Sequence, residues 1–287
     1  MQSQVTNQSL EAEGARELYL DLMKKCLTYY LWGEPITPLS PHLWNRWDQR
    51  FLKRALVRFL AKREISLVCD RPFNPKRRGE GKDWPLHGHT MIGLKRLDNL
   101  QACIEDVIRN DVPGDLIETG VWRGGATIFM RAVLKAHGVT DRNVWAADSF
   151  EGLPRPSPDR YPDDLGDPHH TYDYLKVSLE DVKKNFETYG LLDDRVRFLK
   201  GWFKDTLPKA PIKSLAVIRL DGDMYESTMD GLSNLYQKLS VGGFVIVDDY
   251  GYWEGCRKAV HDFRTSHGIA DRLEEIDWSG VYWRRSR

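Results

Sequence analysis

Asp115-Leu116-Ile117-Glu118-Thr119-Gly120-Val121-Trp122-Arg123-Gly124-Gly125 is the stretch whose reading decides the fold. An apolar run ends in acid, a glycine turn follows, and a helical pattern opens over 125–136. Glycine adopts positive φ and lets the backbone come close to a ligand. A strand, a glycine turn and a helix in this order form the opening unit of a doubly wound α/β sheet. Ligands of such sheets sit outside the carboxyl ends of the strands.

Working outward, the same grammar recurs. Apolar strand patterns cover 115–120, 143–150, 196–202, 215–221 and 243–249, with helical patterns over 125–136, 225–239 and 254–267. Two short strands, 272–277 and 280–285, close the chain around Trp278-Ser279. Alternation of this kind predicts a mostly parallel sheet with a terminal antiparallel hairpin. Four strands end in acid: Glu118, Asp148, Asp221 and Asp248-Asp249. An apolar strand has no structural need for acid at its buried end, so the pattern points to a site.

Glu118 and Asp148 define the cofactor side. A dinucleotide fingerprint requires Gly-x-Gly-x-x-Gly to seat a pyrophosphate. Here the spacing is Gly-x-x-x-Gly-Gly, with Glu118 ahead of the first glycine. An acid there repels pyrophosphate and suits an ammonium group, while Asp148 stands where ribose hydroxyls could be bonded. Ammonium with ribose and without pyrophosphate points to S-adenosylmethionine rather than NAD. A helix-capping glycine turn is the plainer alternative, but it leaves the other strand-end acids unexplained.

Asp221-Gly222-Asp223 and Asp248-Asp249 end consecutive strands. Adjacent parallel strands would bring these carboxylates together, and clustered carboxylates repel unless a cation balances them. All-oxygen ligation suits Mg²⁺, and no Cys/His cluster has zinc spacing. The expected ligands are Asp221, Asp248 and Asp249. The ion would lower the pKa of a substrate hydroxyl and orient its oxygen. Asp221 is the first choice for the base that takes the proton, and Asp223 the second. A tight turn and a helix N-cap pair are the structural alternative.

The rest of the chain bounds the partners. Lys plus Arg equal Asp plus Glu at 42 each, so the global field does not recruit nucleic acid or a membrane surface. No run approaches the roughly 20 apolar residues of a spanning helix, and the N-terminus has no signal-peptide pattern. Scattered Cys26, Cys69, Cys103 and Cys256 fit reduced thiols, hence a cytoplasmic protein. Composition shifts near residue 84, so 1–83 is read as an N-terminal helical cap and 84–287 as the catalytic domain. Within the cap, 15–31 has Leu18, Leu22, Cys26 and Tyr29 at helical spacing. A second segment sets Trp44, Trp47, Phe51, Leu56 and Phe59 against Arg46, Arg50, Lys53, Arg54 and Arg58, read as a solvated face docked by its aromatic side. The proline-rich loop 153–174 reads as a lid. Its His169 and His170 are candidate helpers in proton removal, with surface-loop histidine the blander account.

Several segments together resemble the macrocin O-methyltransferase family, whose members methylate sugar hydroxyls on antibiotics such as tylosin, mycinamicin and novobiocin. They are His89-Thr90-Met91-Ile92-Gly93, the 118–125 turn, Asp148-Ser149-Phe150-Glu151-Gly152, Gly201-Trp202-Phe203-Lys204-Asp205, Asp221-Gly222-Asp223-Met224-Tyr225, Asp248-Asp249-Tyr250 and Gly280-Val281-Tyr282-Trp283. The resemblance implies a class I methyltransferase fold, Rossmann-like with a seven-stranded, mostly parallel sheet. It implies S-adenosylmethionine contacts at Thr90, Met91, Glu118, Gly120, Asp148, Ser149 and Trp202, with Thr119, Gly124 and Gly201 in the same matching segments. It also implies Mg²⁺ on Asp221, Asp248 and Asp249, and a homodimer or higher homo-oligomer. The expected acceptor is a small glycosylated molecule methylated on a sugar, with a phenolic or catechol hydroxyl as the alternative and a NAD-dependent sugar oxidoreductase a more distant one. The segment between 33 and 83 departs from the family's pattern where members shape the acceptor pocket.

Overall fold

The computed structural model of the chain describes residues 2–38, 59–60, 62–63, 65, 68–70 and 72–287. The Trp/Arg segment running from Trp44 to Arg58 lies outside the described residues. Helix α1 (Gln2–Leu27) leads into a short antiparallel ribbon of Ile36–Pro38 with Val68–Asp70. Helix α2 (Gly93–Arg109) precedes the sheet. Then follow β1 (Asp115–Thr119), α3 (Gly125–Ala136), β2 (Val144–Asp148), α4 (Leu179–Thr188) and β3 (Val196–Lys200). The chain continues through β4 (Leu215–Leu220), α5 (Tyr225–Leu235), β5 (Leu239–Val247), α6 (Glu254–Ser266), β6 (Glu274–Glu275) and β7 (Val281–Arg284).

The seven strands lie in the order β3-β2-β1-β4-β5-β7-β6. The first five are parallel, and β7 pairs antiparallel with both β5 and β6. The expected doubly wound sheet with its terminal hairpin is therefore present. Strand order reverses between β1 and β4, which places the ligand crevice above their carboxyl ends. At the opposite end, Asp115 sets the β1–β2 register by accepting from Asn143 N and from Trp145 Nε1, each at 2.8 Å.

Neighbouring strand residues serve opposite faces, as the two-residue period requires. Leu116, Ala146 and Val217 join α1 to α4 in one apolar cluster, while Ile117, Ala147 and Ile218 join α5 and α6 in the other. The β4 strand is buried along its whole length, as a parallel strand covered on both faces should be.

Two local expectations need correction, and one helix had no assignment. The buried stripe of α1 is Leu20, Met23 and Leu27, whereas Leu18 and Leu22 are 74% and 51% exposed. Both stripes have helical spacing; packing against α3 selected the one bearing Leu20. Strand β5 begins at Leu239, before the expected residue 243. Gly243 there passes so close to β4 that a Cβ would meet the Ala216 carbonyl oxygen at 2.6 Å. Helix α2, unassigned from sequence, buries Leu97, Leu100, Ile104 and Val107 at i, i+3, i+7 and i+10.

Candidate active site

A cavity of about 850 Å³ opens above the β1/β4 switch point. Its floor is the glycine turn after β1. Gly120 has φ 83°, and a Cβ would meet the Asp221 carbonyl oxygen at 1.6 Å. No other residue permits β1 and β4 to approach so closely. Gly124 caps α3 in the left-handed region, and Gly125 N donates to His89 O at 2.9 Å. That bond lays the His89-Thr90-Met91 run across the start of α3. The same run is tied to α1, because His89 N and Thr90 N both donate to Leu27 O.

Asp148, at the end of β2, accepts from Val121 N at 2.8 Å and Phe150 N at 2.7 Å. Burial raises its pKa and the backbone N–H donors lower it, with burial the larger influence. Of the expected cofactor residues, Thr90, Met91, Glu118, Gly120, Asp148, Ser149 and Trp202 line the cavity. Thr119, Gly124 and Gly201 stand one step behind it. Thr119 O accepts from Asp221 N, and Gly201 N donates to Asp148 O.

The acidic side is the more heavily charged. Asp221, Asp248 and Asp249 each offer an oxygen, the three lying within 4.8 Å of one another. Asp223 adjoins them, its backbone N donating to Asp249 Oδ2 at 3.1 Å. Sequence reasoning missed the two cations beneath. Arg219 Nη1 donates to Glu118 Oε1 at 2.5 Å and Asp221 Oδ2 at 2.7 Å, and Nη2 bonds Asp248. Arg96 bonds Asp248 and, at 3.1 Å, Asp277. The available signal was Arg219 itself, a lone charge inside Leu215-Ala216-Val217-Ile218-Arg219-Leu220.

Glu118 is also bonded by Thr127 Oγ1, so both of its oxygens are engaged within the protein. Two guanidinium groups thus bond Glu118, Asp221, Asp248 and Asp277, with Asp223 and Asp249 adjoining, an excess of negative charge. Two like charges about 4 Å apart repel by ~4 kcal/mol at an effective dielectric near 20. The response is proton retention. Burial, then Asp248, lifts Asp221 to about 6; burial, then Asp221, lifts Asp223 to about 7. Asp249 is pushed well up by burial and then by Asp223. A divalent cation would meet the same excess charge. The donors are hard oxygens from few side chains with one face open to a cavity, which fits Mg²⁺.

The 153–174 loop forms the cavity's far wall. Asp164, 3% exposed, accepts from Tyr225 N at 2.6 Å and Glu226 N at 3.0 Å, capping α5 from outside that helix. His169 lines the cavity and is buried; His170 instead faces a smaller pocket beside Glu151 and Lys176. The expectation of a surface-loop histidine therefore fails for His169. Trp253, Tyr252 and Trp278 complete the wall near Asp249, and the sequence reading had given them no role.

A family model described as macrocin-O-methyltransferase (TylF) matches residues 16–285. The 8-demethyl-8-(2,3-dimethoxy-α-L-rhamnosyl)-tetracenomycin-C 4′-O-methyltransferase of Streptomyces olivaceus is 53% identical over 275 residues, spanning 96% of this chain and 95% of that protein. The demethyldecarbamoylnovobiocin O-methyltransferase of Streptomyces niveus is 50% identical, spanning 96% of this chain and 97% of its own length. The solved structure of the O-methyltransferase NovP superposes with a TM-score of 0.81 at 49% identity, covering 95% of this chain and 100% of that one.

Proposed function

The chain belongs to the macrocin O-methyltransferase family, an S-adenosylmethionine-dependent O-methyltransferase of class I fold, and on that premise we propose that it methylates a sugar hydroxyl, on a deoxysugar carried by a secondary metabolite or glycan, with help from Mg²⁺. Membership removes the nicotinamide oxidoreductase alternative. The observation that carries the reading is one cavity holding both the glycine turn with Asp148 and the Asp221/Asp248/Asp249 triad. The sugar acceptor draws on the relatives, two of which are named for glycosylated or novobiocin-type substrates.

The cofactor supplies an electrophilic methyl group on a sulfonium. Thr90, Met91, Glu118, Gly120, Asp148, Ser149 and Trp202, which line the cavity, are the residues proposed to seat it, with the charge of Glu118 balanced by Arg219. Asp221, Asp248 and Asp249 would hold Mg²⁺, which when bound lowers the pKa of a coordinated hydroxyl. Arg219 engages Asp221 Oδ2; Asp221 is the first candidate to take the acceptor's proton and Asp223 the second. The acids themselves are largely buried, Glu118, Asp248 and Asp249 below a tenth exposed, so charge interactions among them are stronger than in solution. Residues 1–83 are proposed as a cap beside a catalytic domain of 84–287. Among the described residues no helix is long and apolar enough to cross a membrane, and a cytoplasmic setting is proposed.

The test pairs calorimetry with turnover. S-adenosylhomocysteine should bind in the micromolar range, and EDTA or Asp221→Ala should abolish methyl transfer with the fold intact. Full activity after either treatment would remove the metal-assisted mechanism.

A further inference from the structure

We infer that His169 is a specificity-determining residue that grips the acceptor, its Nε2 donating a hydrogen bond to the sugar oxygen, hydroxyl or methoxy, next to the hydroxyl methylated. The inference rests on the sugar-methylation reading above. His169 lies on the loop, far in sequence from the acid triad, yet it is 5% exposed and lines the same cavity. A buried imidazole needs partners. Asp167 Oδ1 lies 2.6 Å from Nδ1 and also accepts from the His169 backbone N at 2.8 Å.

A carboxylate can only accept, so the Nδ1 position carries the proton. Burial works against a charged ring, but Asp167 and Asp223 outweigh it and raise the imidazole's pKa, which favours a ring that carries a proton on Nε2 as well, a donor aimed at the ligand. No other described residue bonds Nε2. The ring is also fixed in orientation. Trp253 meets it edge-on at 4.4 Å and 90°, and Tyr172 at 5.4 Å and 73°. Trp253 follows the triad residue Asp249 by one turn of chain, its N donating to Asp249 O at 2.9 Å. The imidazole is therefore held against the triad's wall, with Asp223 near enough to influence its charge.

An immobilised hydrogen-bonding group beside aromatic surfaces, at one wall of a cavity, is how proteins orient polyhydroxylated ligands. Trp253 joins the histidine to the triad's chain segment, and the proposal sets the neighbouring sugar oxygen against this wall. His170, the adjacent histidine, faces away and shares no part of this arrangement. The Asp167–His169 pair is more than loop packing, because packing alone would be served by an aromatic ring without nitrogens.

That distinction supplies the test. His169→Phe keeps the ring contacts with Trp253 and Tyr172 and removes both nitrogens; His169→Gln keeps a polar N–H donor. The probe is the rhamnosylated tetracenomycin acceptor named for the Streptomyces olivaceus relative, with S-adenosylmethionine and Mg²⁺ at saturation. His169→Phe should raise KM for the glycoside by about tenfold, the upper range for one lost hydrogen bond. S-adenosylhomocysteine affinity should stay unchanged and kcat should move less than KM. His169→Gln should recover part of the loss. An unchanged KM in His169→Phe, or an equal loss of acceptor and cofactor binding, overturns the inference. If the wild-type chain neither binds nor methylates this glycoside or demethyldecarbamoylnovobiocin, the sugar reading itself fails. That result appears before any variant is made.

Discussion

Arg219 Nη1 lies 2.5 Å from Glu118 Oε1, joining the carboxyl ends of β1 and β4 beneath the cavity. The same guanidinium bonds Asp221 and Asp248, so one buried cation holds acids from three strands. Removing one partner of a buried ion pair leaves unpaired charge and costs about 3–5 kcal/mol. Arg219→Met should therefore lower stability by roughly that amount, read from urea unfolding. Adding Glu118→Gln should restore part of it, since one stranded charge disappears. Stability equal to wild type in the single variant would mean that the network contributes nothing net.

The acid cluster makes stability depend on pH in an unusual direction. Burial and neighbouring carboxylates hold Asp221 at about 6 and Asp223 at about 7, against about 4 in an unfolded chain. Between those values the native state binds more protons than the unfolded state. Their contribution to stability is full below about pH 4 and is lost as pH rises through about 6 to 7. In chelator, the melting temperature of wild type should fall relative to Asp223→Asn as pH is raised from about 5 to about 8. Mg²⁺ should stabilise more at the upper end, where its ligands are ionised. Parallel melting curves for the two proteins would contradict the raised carboxylate values.

Gly120 and Gly138 separate close approach from backbone strain. Both have positive φ, 83° and 69°, but nothing lies within 4 Å of a Cβ at Gly138. Gly138→Ala should cost only about 1–2 kcal/mol, the penalty of a left-handed residue. Gly120→Ala must also push the Asp221 carbonyl aside, disturbing the turn and the acid cluster together. Its S-adenosylhomocysteine affinity should fall by at least about tenfold, while Gly138→Ala binds as wild type. Equal behaviour of the two variants in calorimetry would show that the β1–β4 approach is dispensable.

Helix α1 leaves Leu18 and Leu22 outward beside partly exposed Tyr19. If the proposed homo-oligomer forms through this stripe, Leu22→Glu should shift the mass seen by light scattering to that of a monomer, with the S-adenosylhomocysteine affinity retained. An unchanged mass would move the contact elsewhere or leave the chain monomeric.

Much of the fold was legible because its signals are local. The Glu118–Gly125 turn, the acids closing β2, β4 and β5, and the alternation of strand and helix depend on residues adjacent in sequence. Glycine spacing and terminal acid survive as pattern whatever packs around them. Where two local patterns were equally good, as with the Leu18 and Leu20 stripes of α1, the sequence could not choose.

The order of acids along the chain determined which strand ends carry the site and distinguished a sulfonium cofactor from a dinucleotide. Tertiary structure decided what neutralises those acids and what faces them. Arg96 and Arg219 are 152 and 29 residues from their shared partner Asp248, and His169 meets Trp253 across 84 positions of sequence. Charge pairing and ring contact act over a few ångströms of space, so their partners emerge only once the sheet has brought distant strand ends and the loop to one wall. Glu118 shows the division most clearly. Its place at the end of β1 is written in the sequence, but the bonds from Arg219 and Thr127 that engage both its oxygens exist only in the fold.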